Sequence, residues 1–344
     1  MPRAPRSLAL LVAAVLAVTL TPSAASADDQ AVIDTAIAIS QQRFGDHAFA
    51  GTTIPRAAWG VLARTGVFAD SLSGSGLTGA GPLLFTAPDA MDAASLDELD
   101  RVLPPGDRVF LLGGPSALSA EVEAAVEAAG FVPVRLAGPS RIETSLAIAQ
   151  QVSEIGGSGR VGLARADGPA DNPTAAWADS VTAGTWSADQ AVPVILNPTS
   201  GLHPAVEQYL RERAPETTYL FGGEAALGPD VESGAAAAGT APVRIQGTNR
   251  YATAVAIATQ LWGGSASGDR LITSGNAVDG WAYGLAAAGL GAQLNRPLLL
   301  VETDRLPTET DEALCDGGTR ADSMVIGGPD VVSQAVRDAL AAPC

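Results

Sequence analysis

The chain has 344 residues, enough for two or three domains of ordinary size. Its 20 basic residues are all arginine and face 37 carboxylates, for a formal net charge of −17. So acidic a surface repels nucleic acid and anionic lipid at long range, which argues against both as partners.

In chain order, Arg3 and Arg6 precede an apolar run from Leu8 to Leu20, followed by the small-residue cleavage motif ASA at 25–27. That predicts a secretory signal peptide over 1–27, with an apolar stretch too short to span a bilayer. The mature chain is then expected to be exported and not inserted in a membrane.

Past the leader the sequence repeats itself. DTAIAIS from Asp34, ETSLAIA from Glu143 and ATAVAIA from Ala252 recur at a spacing of 109. FADSLSG from Phe68 corresponds to WADSVTAG from Trp177 and WAYGLAAAG from Trp281, and each leads into an apolar run: PLLFT, PVILN, PLLLV. VFLLGG, TYLFGG and MVIGG follow. VPVRLAG from Val132 is echoed by APVRIQG from Ala241, with no third copy before Cys344.

Within each copy, apolar runs of four to six residues bounded by Gly and Pro read as strands buried on both faces. They alternate with helical patterns such as SLDELDRVL, AEVEAAVEAAG and HPAVEQYLRER. This order predicts parallel sheets with right-handed crossovers. The fold class is α/β: three tandem Rossmann-like or flavodoxin-like domains over 31–138, 139–247 and 248–344. Equivalent units carry equivalent surfaces, so a ring about a pseudo-threefold axis is expected, with a linear string as the alternative.

Little in the sequence points to catalysis. His47 and His203 fall at different places in their repeats and read as solvated turn residues. No HExxH, GxSxG or Walker A pattern occurs. GSGLTG at 74–79 fits a dinucleotide fingerprint but follows a helical pattern and precedes a strand, the reverse of what a pyrophosphate needs. DGPADN at 167–172 has calcium-friendly oxygens without EF-hand spacing and reads as a solvated loop. No cofactor, metal site or enzymatic activity is expected. The glycine pairs 113–114, 222–223 and 327–328 end strands; they are either tight turns that only Gly permits or backbone amides facing an anion. Cys315 and Cys344, in an exported chain, read as one disulfide, with a free or intermolecular thiol as the alternative.

Ser140 and Asn249 are good N-caps, and Ser140 with Glu143 forms a capping-box pattern. Arg141 and Arg250 then fall in the first helical turn, where a cation opposes the helix dipole by about 0.3–1 kcal/mol. Two explanations stand: a guanidinium tied across a domain junction to Asp70 or Asp179, or an anion pocket built from arginine and helix amides.

The phrase R-[IL]-x-G-x-x-R-[IY]-x-T-[AS]-x-A-I-A, with FADSL/WADSV and VFLLGG/MVIGG in order, resembles the type 2 cell-wall-binding repeat of exported Gram-positive surface proteins. The resemblance covers the whole mature chain. It implies a triangular disc of three units attached non-covalently to an anionic secondary cell-wall polymer at the cell surface, without catalysis. Alternatives are a surface protein that binds a wall hydrolase, or a hydrolase of wall glycans. Carried over by position, the polymer-binding candidates are Arg135, Arg141, Glu143 and Thr144 in one copy. The other copy offers Arg244, Arg250, Tyr251 and Thr253, with Asp70 and Asp179 from the ADS motif. Ile142 stands where the other copy has Tyr251, Ala252 where it has Glu143, and Tyr283 where the other copies have Asp70 and Asp179. At most two complete sites are therefore expected.

Overall fold

The computed structural model describes residues 26–48, 54–169, 172–262, 268–315 and 319–344. Most of the expected leader lies outside these residues. Ser26 and Ala27, at its end, stand at the start of the first helix, α1 (Ala27–Arg43). Ser26 caps it in a reciprocal box with Asp29.

Three parallel sheets follow one another. The first is made of β1 (Gly60–Arg64), β2 (Leu83–Thr86), β3 (Arg108–Leu112) and β4 (Val132–Leu136), in the order β2-β1-β3-β4. Its crossovers are α2 (Ala93–Val102) and α3 (Ala120–Ala128). After α4 (Arg141–Glu154) come β5 (Arg160–Arg165), α5 (Ala178–Thr182), α6 (Gly184–Gln190), β6 (Val194–Asn197), α7 (Pro204–Arg213), β7 (Thr217–Phe221), α8 (Pro229–Ala237) and β8 (Ala241–Ile245). Their sheet order, β6-β5-β7-β8, is the same. The third unit has α9 (Arg250–Trp262), β9 (Arg270–Ser274), α10 (Gly280–Leu294), β10 (Leu298–Val301), α11 (Thr308–Leu314), β11 (Ser323–Val325) and α12 (Gln334–Ala341), with three described strands in the order β10-β9-β11. All pairings are parallel. Central strands are buried on both faces, which is why they read as continuous apolar runs: Leu62 lies between Leu84 and Leu111 in register, all fully buried.

The segment between the first and second strands of each unit points inward. In the first unit it is a 3-10 turn over Gly74–Leu77, in the second α5 and α6, in the third α10. α10 packs on α6, and both pack on the turn. The three units therefore close around an axis rather than stringing out. Gly184 marks the meeting point: a Cβ there would stand 2.7 Å from Ser75 Oγ and 3.5 Å from Ala288 Cβ, one neighbour from each of the other units. GSGLTG is thus packing material at the axis, with residues 74–78 all buried.

Arg43, only 1% exposed, ties the ring on one side. It donates to the carbonyls of Thr78 (2.7 Å), Gly79 (3.3 Å) and Gly81 (3.4 Å), and to Gln293 Oε1 in α10 (3.3 Å). Desolvation lowers its pKa to about 10, which leaves it charged at neutral pH. Cys315, ending α11, is bonded to Cys344 beyond α12, with Cα atoms 5.7 Å apart.

Candidate functional site

Ligand clefts in open parallel sheets lie outside the carboxyl ends of the strands, where the strand order reverses. Here that point falls between β1 and β3 in the first sheet and between β5 and β7 in the second. The paired glycines end β3 and β7; Gly113 (φ 100°), Gly222 (φ 101°) and Gly327 (φ 105°) adopt a backbone conformation that side chains disfavour. Each of the first two switch points is roofed by the start of the next unit's first helix, and a cleft remains beneath it. One, of about 430 Å³, is lined by Asp70, Gly114, Ser140, Arg141 and Asp167 among others. The other, of about 280 Å³, includes Arg165, Asn172, Asp179, Gly223, Asn249 and Arg250.

The helix-start arginines reach down into these clefts. Arg141 donates to Ala166 C=O and Asp167 Oδ1, both at 2.8 Å, and stacks over Phe68 of the first unit at 6.0 Å. Arg250 donates to Gly275 C=O, to Thr174 Oγ1 (2.7 Å) and to Asn172 Oδ1 (3.0 Å) across the second seam. Neither arginine forks onto Asp70 or Asp179, the partners a junction tie would use. The loop after β5, which reads as solvated in the sequence, instead bonds both arginines. Residues 170–171 of that loop lie outside the described residues.

The helix amides contribute less than the sequence suggests. Asn249 Oδ1 accepts the N–H of Tyr251 (3.0 Å) and of Ala252 (2.9 Å), and Ser140 Oγ accepts that of Ile142 (3.1 Å). Those donors are spent on caps. The amides of Gly114 and Gly223 line the clefts and donate to nothing among the described residues. The glycine pair is thus both a tight turn and a source of a free donor.

Asp179 is the most perturbed carboxylate. Burial pushes its pKa up from the ordinary 3.8 to about 6, partly opposed by the Arg165 and Arg250 guanidiniums nearby. Burial likewise lowers the pKa of Arg165. The second seam therefore holds two guanidiniums against one carboxylate that is half-protonated near pH 6. In the first seam Arg141, the arginine among the cleft's lining residues, is already paired with Asp167, and Arg64, which ends β1 as Arg165 ends β5, bonds the Ser116 carbonyl at 3.4 Å.

Of the remaining candidates, Thr253 lines the second cleft, and the others are absent from the lining of both. Arg135 grips Glu123 (2.6 Å) and Gly113 C=O (2.9 Å) inside its own unit, and Arg244 repeats this with Glu232 and Gly222 C=O, each at 3.0 Å. Thr144 and Thr253 are buried; each hydroxyl accepts a loop glycine N–H, from Gly138 and Gly247, at 3.1 Å. Glu143 accepts the Ser140 hydroxyl, which holds its pKa down. Tyr251 is buried beside Glu302, and desolvation raises its pKa to about 12. His203 is not a solvated turn residue: its Nδ1 caps α7 through Ala205 N–H (3.3 Å), and its Nε2 stands 3.9 Å from Glu143.

The third seam differs in sign. Where α4 and α9 begin with arginine, α1 carries Asp28 and Asp29 in its first turn, and the Tyr283 phenol is held at about 12 by burial first and then by Asp330, Asp279 and Asp28. Among the described residues, no group of three or more His, Cys, Asp or Glu side chains is placed to hold a metal ion, and no helix is long and apolar enough to cross a membrane.

Two solved structures share the fold of this chain. Cwp8 from Clostridium difficile superposes with a TM-score of 0.73 at 22% identity, over 89% of this chain and 49% of that one. Cwp6 from the same organism gives 0.75 at 19% identity, over 91% and 47%. The chain thus spans about half the length of these structures. The N-acetylmuramoyl-L-alanine amidase LytC of Bacillus subtilis is 36% identical over 90 residues, 26% of this chain and 17% of the amidase. The sequence model of the cell wall binding domain 2 family matches three times, over residues 30–123, 135–232 and 244–337. The chain belongs to the cell wall binding domain 2 family, a cell-wall-binding protein of three tandem α/β repeats.

Proposed function

We propose that the chain is an exported, non-catalytic anchor that holds itself at the cell surface by capturing an anionic, phosphate-bearing wall glycan in the second seam. One observation carries this reading: Arg165, Arg250 and the Gly223 amide converge on a 280 Å³ cleft at a sheet's switch point, around an Asp179 held near protonation. Guanidinium forks suit phosphate oxygens, and two guanidiniums against the one Asp179 carboxylate leave these groups with net positive charge even where Asp179 is ionised. Asp179 and Asn249 supply polar groups for sugar hydroxyls. The acidic exterior does not defeat this capture, because repulsion from distant charges is screened within about 8–10 Å at physiological ionic strength.

The first seam is a weaker second site, since Asp167 already occupies Arg141. The third seam, acidic throughout, takes no anion. Arg135, Arg244 and Thr144 set the geometry from behind, and Thr253 lines the second cleft itself.

The experiment is retention on purified wall sacculi before and after anionic polymers are stripped. Wild-type protein is expected to bind intact walls and not stripped ones. Arg165→Ala with Arg250→Ala abolishes retention, while Arg141→Ala weakens it only partly. Equal retention on stripped walls, or a double variant that binds as well as wild type, refutes the assignment. The likeness to the amidase covers 17% of that enzyme and does not bring its activity with it. Release of soluble wall fragments by the purified chain would replace anchoring with hydrolysis.

A further inference from the structure

A second kind of cleft lies at the amino-terminal ends of the strands, on the face of the ring opposite the seams. In the second unit it measures about 170 Å³ and is lined by Ser153 of α4, by Arg160, which begins β5, and by Tyr209 and Arg213 of α7 among others. In the third unit it measures about 740 Å³ and is lined by Val255 and Ala258 of α9, by Arg270, which begins β9, and by Ala313 and Leu314 of α11 among others. The repeat spacing of 109 matches Ala258 with Ala149 and Trp262 with Ser153. The second unit's cleft takes no residue from β8, and the third unit's takes none beyond Asp322, so what stands beside β11 has no bearing on either.

One position sets the difference in size. The second crossover helix of each unit buries a leucine: Leu99, Leu210 and Leu314. The residue before it is Glu98 in the first unit, Tyr209 in the second and Ala313 in the third. Glu98 is buried and held by Arg101 at 2.7 Å. Tyr209 fills its cleft with a ring: the hydroxyl meets Ser153 Oγ at 3.0 Å and donates to Ala149 C=O at 3.3 Å, and Arg213 stands over the ring at 5.8 Å. Ala313 ends at its Cβ, and the space beside Leu314 stays open.

The groups that surround the Tyr209 ring have counterparts in the third unit. Ala258, in the lining, matches the residue whose carbonyl accepts the phenol. Trp262 takes the place of Ser153, and its buried indole N–H has no acceptor among the described residues. Arg320 lines the cleft with an Nη1 that bonds nothing among the described residues. At the rim Asp269 and Asp322 share Arg296, whereas Glu312 is exposed and pairs with no cation among the described residues. A second copy of this chain offers no free phenol, because Tyr209, Tyr251 and Tyr283 are buried and Tyr219 is half-buried.

We infer that the third unit's cleft receives a tyrosine side chain of a partner polypeptide, flanked there by basic residues. The third unit takes from another molecule the ring that the second unit supplies from its own helix. Burial of the ring against Val255, Leu299 and Leu314 supplies attachment, the Arg320 guanidinium stacks on it, and Glu312 selects the basic flank. The seams open on the opposite face, so a partner docked here leaves them free, and the site does not depend on the wall polymer.

The probes are tyramine, 4-hydroxyphenylacetate and the peptides Gly-Arg-Tyr-Arg-Gly and Gly-Arg-Ala-Arg-Gly. Each is titrated into the intact protein while the methyl resonances of Val255, Leu299 and Leu314 are followed by NMR. Tyramine and the tyrosine peptide are expected to shift all three saturably. The alanine peptide binds more than about tenfold more weakly than the tyrosine peptide, the scale of one anchoring aromatic. 4-Hydroxyphenylacetate binds about threefold more weakly than tyramine, the scale of one exposed ion pair, and Glu312→Arg reverses that order. Ala313→Tyr fills the cleft from within and abolishes binding, with wall retention unchanged. Circular dichroism melts confirm that both variants fold. No saturable shift, equal binding of the two peptides, undiminished binding by Ala313→Tyr, or an order unmoved by Glu312→Arg overturns the inference. So does binding of tyramine without the tyrosine peptide, which assigns the cleft to a free phenol.

Discussion

Replacing Asp179 by Asn separates desolvation from ion pairing at the second seam. The carboxylate is 9% exposed and accepts no hydrogen bond among the described residues. Its pKa stands at about 6 in the fold, against an ordinary 3.8. Between those values the folded state binds the proton and the unfolded state releases it, so stability is full below about pH 4 and falls as pH rises to 6. A slope of about 1.36 kcal/mol per pH unit over that interval costs about 3 kcal/mol at neutral pH. Asp179→Asn removes this cost. In urea titrations the variant is expected to match wild type near pH 3.5 and exceed it by about 3 kcal/mol at pH 8. Polymer binding follows the same proton: an anion favours the neutral carboxyl, so wild-type affinity rises as pH falls through 6, by at most about tenfold per pH unit, and the variant shows no such trend. A wild type that gains stability relative to the variant above pH 4 would show that Arg165 and Arg250 dominate and would refute the reasoning.

Other outcomes follow from the ring and its fastening. Cys315→Ser with Cys344→Ser opens a loop of sequence separation 29 and is expected to cost about 3–4 kcal/mol, seen as a lower urea midpoint with wall retention preserved. Gly289→Ala places a Cβ against the Arg43 guanidinium and the Thr78 carbonyl at the axis; a loss of more than about 3 kcal/mol is expected in the same titration, because a buried charge is pushed off its acceptors.

The repeats were legible in sequence because each buries its strands on both faces, which leaves short apolar runs punctuated by glycine. The central position of FADSLSG, WADSVTAG and WAYGLAAAG was not legible, since a helix facing two other units carries the same small residues as one facing a sheet. Ser26 escaped notice as a cap because its capping box overlaps the small residues that mark a cleavage site.

The candidate site divides the same way. Arg141 and Arg250 stood out from the sequence because a cation at a helix start is locally unfavourable, so their placement needed a cause from elsewhere. Arg165 recurs as Arg64 at the end of the matching strand, a signal that the repeats carry but that names no partner; only the strand order that puts β5 beside β7 brings it within the field of Asp179. Thr144 and Thr253 repeat for an internal reason, the loop amide each hydroxyl receives. Local chemistry decided which residues recur, because propensity and capping act over a few neighbours. Which of them share a cleft, and whether a seam carries arginine or aspartate, was decided by the closure of three units around Gly184, where groups more than a hundred residues apart in the chain meet.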